Sequence, residues 1–456
     1  MTKKTRTILF LACLLAFLIV SPSVILYGQG YRLNFKTWKI TKTGAFYFKA
    51  LPKNSEIYID GKLKAKTDFF FGSNLVENLL PGKYSVEIRK PEYSSWKKNL
   101  GIEPMMTTEA KNIILFPQKI DFQSLASGIQ TFFPSPLFKK TILEKKDSQG
   151  WYLTLFDYKN NLEEVLVREK DLKKGTAFMD LQWSNETASV ILKTSLGERE
   201  RFFLINLEKK PIAPVSLDYL GIFEKISFDS RNSQRFFILK NGVLSSGSFD
   251  SKQLTKIADQ VVDFTSEEGK LYFLESTGFV FTVEDPLSLE KISETQFEIK
   301  AETFSEFAVF KSNLFLKQED VLFWFDEKEK SFIQVADNIK GFSVSQDQTK
   351  LVFFNNAEIW IYFLRERLDQ PPQKQGEKIL LTRLSEGISQ VFWLNNNYLL
   401  FAGNNKLRII ETDGRDKANS LDIGEFKNPE IFFDRTIKKT SVLSQGNLFI
   451  SSQILP

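Results

Sequence analysis

Along most of this chain apolar and polar positions alternate with a period of two, and Gly, Asp, Asn and Pro punctuate the runs. That pattern predicts half-buried strands joined by tight turns, not amphipathic helices. One long exception opens the sequence. Residues 7–27, "TILFLACLLAFLIVSPSVILY", carry no charge, and as a helix they reach roughly 30 Å, the hydrocarbon thickness of a bilayer.

Three readings of the apolar segment compete. In the preferred one it is a retained signal anchor, because apolar residues continue past Pro22 to Tyr27. In the second it is a cleaved signal peptide, with an h-region at Ile8–Val20 and small residues at Ser21 and Ser23. In the third, Cys13 in "FLAC" takes a lipid, although that is only a partial lipobox. Lys3, Lys4 and Arg6 favour a cytoplasmic N-terminus, whereas Arg32, Lys36, Lys39 and Lys42 pull the other way. A short tail before a large downstream region tips the balance outward. The expectation is a single-pass membrane protein: residues 1–6 a cytoplasmic tail, 7–27 the transmembrane anchor, and the bulk of the chain extracytoplasmic.

Beyond a basic connector at 28–43, two β-rich regions follow. Residues 44–117 form a small unit with strands at 45–50, 56–60, 83–89 and 110–116, turned by "DGK" at 60–62 and "PGK" at 81–83. Residues 118–456 repeat a strand–turn–strand–turn–strand pattern, clearest in "GFSVSQDQTKLVFFNNAEIWIYFLRER" at 341–367. Related stretches start at 131, 180, 225, 261, 307, 390 and 430, a mean step of about 43 residues, which is the length of a four-stranded propeller blade. The last unit ends after its third strand, so a segment within 118–130 is expected to supply the outer strand that closes the ring. The predicted class is all-β: one N-terminal helix, a small β-sandwich module and a seven- or eight-bladed β-propeller.

The small unit also resembles a known module. Pro52, Ile57, Tyr58, Ile59, Asp60, Gly61, Lys66, Thr67, Leu79, Pro81, Gly82, Tyr84, Val86, Tyr93 and Trp96 match, in order, the motifs of PEGA domains. It departs at Asn54 and Glu92, where the family has glycine, and at Asp68, where it has proline. The 341–367 unit is similar to the WD40-like blades of bacterial periplasmic propellers, with Ser345-Gln346-Asp347-Gln348 at their Ser-Pro-Asp-Gly turn. What these resemblances imply is a bacterial cell-envelope protein.

Composition narrows the chemistry. There is no histidine, so Ser-His-Asp and Cys-His catalysis and every His-containing zinc site are excluded. The single cysteine, Cys13, excludes disulfides within the chain and thiolate metal sites. A net charge of +5 over 456 residues gives no argument for nucleic acid. No phosphate loop, dinucleotide fingerprint or EF-hand is present.

Asp60-Gly61 and Asp413-Gly414 read as turns, Glu163-Glu164 and Glu267-Glu268 as solvated pairs in polar turns, and 326–330 as a hairpin tip. Tyr93, Trp96, Trp324, Trp360 and Trp393 tempt a carbohydrate-binding reading, but strand aromatics more often form core. The insertion at 365–378 reads as a surface excursion, with partner binding as the sharper alternative. From Arg32 to Lys66 nine Lys or Arg face two acids. That stretch is either a solvated face or a contact for anionic headgroups or wall polymer.

The function expected is binding or scaffolding, not catalysis, with an envelope protein or glycan as partner, no cofactor, no metal and no catalytic residue. The alternative is a His-independent polysaccharide hydrolase or lyase with paired carboxylates at the propeller mouth.

Overall fold

The computed structural model describes residues 3–34, 38–136, 139–284, 288–300, 304–385 and 387–456. Helix α1 (Lys3–Gly28) runs straight through Pro22 and takes in residues 3–6, which the sequence reading assigned to a tail. Its segment 4–28 is apolar and long enough to cross a membrane, and none of its most apolar window is buried within the protein. The connector is not plain coil. Strands β1 (Tyr31–Asn34) and β2 (Lys39–Lys42) pair antiparallel within it, and its residues 35–37, Lys36 included, lie outside the described residues.

Seven strands then make a two-layer sandwich: β3 (Gly44–Leu51), β4 (Glu56–Ile59), β5 (Lys62–Lys66), β6 (Ser73–Leu79), β7 (Gly82–Arg89), β8 (Trp96–Ile102) and β9 (Thr107–Ile114). One sheet has the order β6-β3-β9, with β3 and β9 parallel; the other has β5-β4-β7-β8. Both close on one core of Phe46, Phe48, Ile57, Val86, Ile88 and Leu100, the inward residues of alternating strands. Sequence patterning misses β5, β6 and β8. The first is a lysine-rich edge with no buried residue, and on β8 a lysine, Lys98, occupies one of the inward positions.

Asp60 and Gly61 both have positive φ, +49° and +74°, the geometry of a two-residue hairpin turn. The Asp60 carboxylate accepts from the Ser85 amide, so it fastens the turn to β7. Asn54 and Glu92 hold positive φ at the positions where the PEGA pattern has glycine.

From residue 122 onward, eight four-stranded antiparallel sheets follow one another among the described residues. Seven are contiguous in sequence, from 129–168 to 388–425. The eighth joins the last three strands, 430–451, to β10 (Phe122–Ser127), which pairs with 447–451 as the outer strand. Eight apolar cores knit neighbours together. Ile142 and Val190 share one between the first and second sheets, Phe401 and Ile361 one between the seventh and sixth, and Phe132 and Leu448 one between the first and the eighth. Each sheet buries both faces, and the last core joins the end of the series to its start. This is a β-propeller. The Ser345–Gln348 turn works without its proline and glycine: Asp347 accepts from Ser345 Oγ and the Thr349 amide, and Gln348 takes φ +59°.

Candidate functional site

In a four-stranded meander the turns after the first and third strands emerge on one face. On that face the small module sits against the sixth and seventh sheets. β8 brings Trp96 and Lys98 inward side by side, and both meet Glu411, at the end of the seventh sheet's third strand. Glu411 Oε1 lies 2.8 Å from Lys98 Nζ, and Oε2 accepts from Trp96 Nε1 at 2.8 Å. Lys98 also donates to the carbonyls of Asp413, at 2.8 Å, and Arg415, at 2.6 Å. Asn419 closes the remaining side of the carboxylate through its amide and side chain. The ion pair is sealed from water: the side chains of Lys98 and Glu411 are 0% and 4% exposed.

The insertion at 365–378 supplies a second clasp. Gln370 accepts from the Glu109 amide and donates to the Thr107 carbonyl, so it continues β9 as a strand neighbour would. Arg415 donates to the Glu109 carbonyl while its guanidinium holds Asp413. Burial pushes the Asp413 carboxyl up, but Arg415 outweighs it and the net shift is downward. Tyr398 accepts from the Ile114 amide, and burial drives its own hydroxyl pKa well above 10. The cavity left between Trp96, Tyr398, Glu411 and Arg415 is about 30 Å³, room for water but not for a larger ligand. The partner of the insertion is therefore the module of the same chain. The Asp413-Gly414 turn is part of this junction.

Beside the junction the same face opens into a groove of about 810 Å³ between the fifth and sixth sheets. Lys311, Trp324, Asp326, Arg365, Glu366 and Lys374 line it. Charges of both signs ring an indole whose N–H is buried without a hydrogen-bond partner in the structure. A buried donor of this kind calls for an acceptor. Behind the groove, Lys350 is buried against Trp393; burial lowers its pKa to about 8, and Asp347 opposes that shift. Sequence patterning missed the groove and the junction because their residues come from turns about 40 to 300 positions apart.

Several carboxylates at this end of the ring are engaged in structure. Glu267 accepts from the Ser312 amide and ties the fourth sheet to the fifth; burial raises its pKa. That corrects the expectation of a solvated side chain for Glu267, while Glu268 is exposed in the turn. Glu163 and Glu164 lie on a strand, not in a turn, and pair with Lys145 and Lys210. Asp434 accepts from the amides of Thr436 and Ile437. Among the described residues no cluster of three metal-ligating side chains occurs. Trp96, Trp324 and Trp393 are buried, while Tyr93 and Trp360 are half-buried.

No family model matches the chain, and no curated protein matches its sequence. Structural similarity is found to β-propellers. The β-propeller domain of Cps50 (Swd1) from Myceliophteria thermophila is 11% identical, with 74% of this chain and 99% of that one covered and a TM-score of 0.42. The Dos1 propeller is 12% identical over 75% and 95%, with a TM-score of 0.45. Hsv2 of Kluyveromyces lactis is 10% identical over 66% and 98%, with a TM-score of 0.41.

Proposed function

We propose that the chain is a membrane-anchored binding scaffold of the bacterial cell envelope. In this reading α1 holds it in the membrane, the PEGA-like module stands at the surface, and an eight-bladed propeller is carried outside. The observation that carries the binding role is the groove at Trp324, open and charged, on the face where the junction fixes module and propeller into one body. A protein or glycan partner suits an open groove lined by charges of both signs, with Trp324 in its wall. The hydrogen bonds that tie Glu267, Asp326 and Asp413 into the turns support binding over hydrolysis at those carboxylates.

The test uses the full chain in detergent micelles, presented with fractionated envelope proteins and glycans. Arg365→Glu with Lys374→Glu reverses one side of the groove's charge, and Trp324→Phe trims the indole in its wall to a phenyl ring. A partner retained by the wild type and lost with these variants supports the reading. Equal retention by all three overturns it, as would turnover of a polysaccharide.

A further inference from the structure

Phenylalanine is abundant in this chain, 44 residues, and is mostly used as core. Outside α1, the described phenylalanines that stand largely exposed are three in a row: Phe69, Phe70 and Phe71, at 75%, 75% and 74%. They form the loop between β5 and β6, and they are held there. Asp68 Oδ1 accepts from the amides of Phe70 and Phe71, and Oδ2 from the amide and hydroxyl of Ser73. Lys53 Nζ donates to the Phe70 carbonyl at 2.6 Å. Those amides lower the Asp68 pKa to about 2, so the clasp is ionised at every physiological pH. A structured loop that displays three aromatic rings to water points to an apolar occupant.

The position of the loop identifies that occupant. The module faces the propeller through β8 and β9, so β5 and β6 form the opposite side. α1 leads to that same side: Arg32, in the connector hairpin, donates to Asn78 on β6. Trp38 and Ile40 of the hairpin are exposed there, at 76% and 60%. The aromatic loop lies at the other end of β6, roughly 20 Å away along the strand. Lys62 and Lys64 project from the neighbouring edge, exposed to solvent. One side of the module thus carries the helix exit, two apolar contact points and two exposed lysines.

We propose that this side lies on the bilayer and that Phe69–Phe71 insert into the interfacial region of the leaflet, with Lys62 and Lys64 against anionic headgroups. The inference rests on the reading of α1 as an anchor. Helix and loop then make two attachments to one membrane, which fixes the tilt of the propeller instead of leaving it on a swivel. Aromatic rings suit the interfacial zone, and lysines add attraction to anionic lipid.

The lone cysteine makes the test direct. Full-length chain is reconstituted in phosphatidylcholine vesicles with about 30% phosphatidylglycerol, the anionic lipid being what the lysines require. An environment-sensitive dye is placed on native Cys13, on Phe70→Cys in a Cys13→Ser background, or on Ile222→Cys in that background. Ile222 is 83% exposed on the propeller and serves as the reference. The expected result is quenching of the Cys13 dye by mid-bilayer spin labels, quenching of the position-70 dye by shallow ones, and neither at 222. Replacing Lys62 and Lys64 by Gln lowers the ratio of inserted to free loop roughly fivefold for each lysine. A position-70 dye that matches 222 while Cys13 is quenched overturns the loop proposal and leaves the anchor standing. Quenching at 70 without quenching at 13 keeps the loop and rejects the anchor. No quenching at either rejects both. Signal at 70 evoked by wall polymer and not by vesicles also overturns the proposal.

Discussion

The small module has two sides of opposite character. On the β8–β9 side a lysine and a glutamate are buried so completely that each is the other's solvent. On the β5–β6 side three phenylalanines and two lysines stand in water. Ordinary folding preferences would exchange these contents. The exchange is tolerated because each is locally satisfied: Glu411 receives Lys98, Trp96 and Asn419, and the aromatic loop hangs on Asp68. Burial of a paired charge makes a joint with one permitted geometry. Exposure of held aromatics makes a surface that waits for another phase.

The comparison breaks first at the joint. Glu411→Ala leaves the Lys98 ammonium buried and unpaired, which should cost about 3–5 kcal/mol. Urea unfolding of the full chain, followed by its total tryptophan emission, measures it. Lys98→Met combined with Glu411→Leu should cost less than Glu411→Ala alone, since no charge is then stranded. If the double variant is the weaker, the joint is held by something other than this pair. Gln370→Ala removes two hydrogen bonds to β9 and should cost about 1–2 kcal/mol. Its expected signature is faster hydrogen exchange at the Glu109 amide, with the rest of β9 unchanged. Glu92→Gly acts in the other direction. It relieves an L-residue at φ +68° and should stabilise the module by up to about 1 kcal/mol in the same urea experiment.

What the sequence shows of this molecule follows from where burial leaves a trace. The three inner strands of each propeller sheet bury alternate or successive apolar residues, so the repeats at 341–367 and its relatives stand out. Fourth strands such as 254–258 and 289–291 are nearly all exposed and carry no such trace. The closing strand β10 was inferred from a missing partner, not from its own weak pattern. The joint was hidden because Lys98 and Glu411 are 313 residues apart and each reads as an ordinary surface charge. Asp60 and Asp413 look alike in sequence, each before a glycine, yet one only fastens a hairpin while the other helps form the bed for a lysine. Nothing in the sequence pattern singles out Phe69–Phe71, because periodicity cannot tell a buried strand from a displayed loop.

On the open side the sharpest expectations are small ones. Phe70→Ala should change stability in detergent by no more than about 0.5 kcal/mol, the range for surface sites, whereas Phe48→Ala in the core of the same module should cost about 3–5 kcal/mol. A large loss at position 70 would mean that the ring is packed within the protein, and would remove the ground for a membrane contact. The clasp beneath it can be read by pH. The folded pKa of Asp68 is about 2 against an ordinary 3.8, so the folded state binds its proton later than the unfolded chain does. The stabilisation from this group is therefore complete above about pH 4 and is lost as pH falls towards 2. Amide shifts of Phe70, Phe71 and Ser73 should titrate together with a midpoint near 2. A midpoint near 4 would show the carboxylate free of those amides, and the loop would then be a loose tether instead of a held wedge.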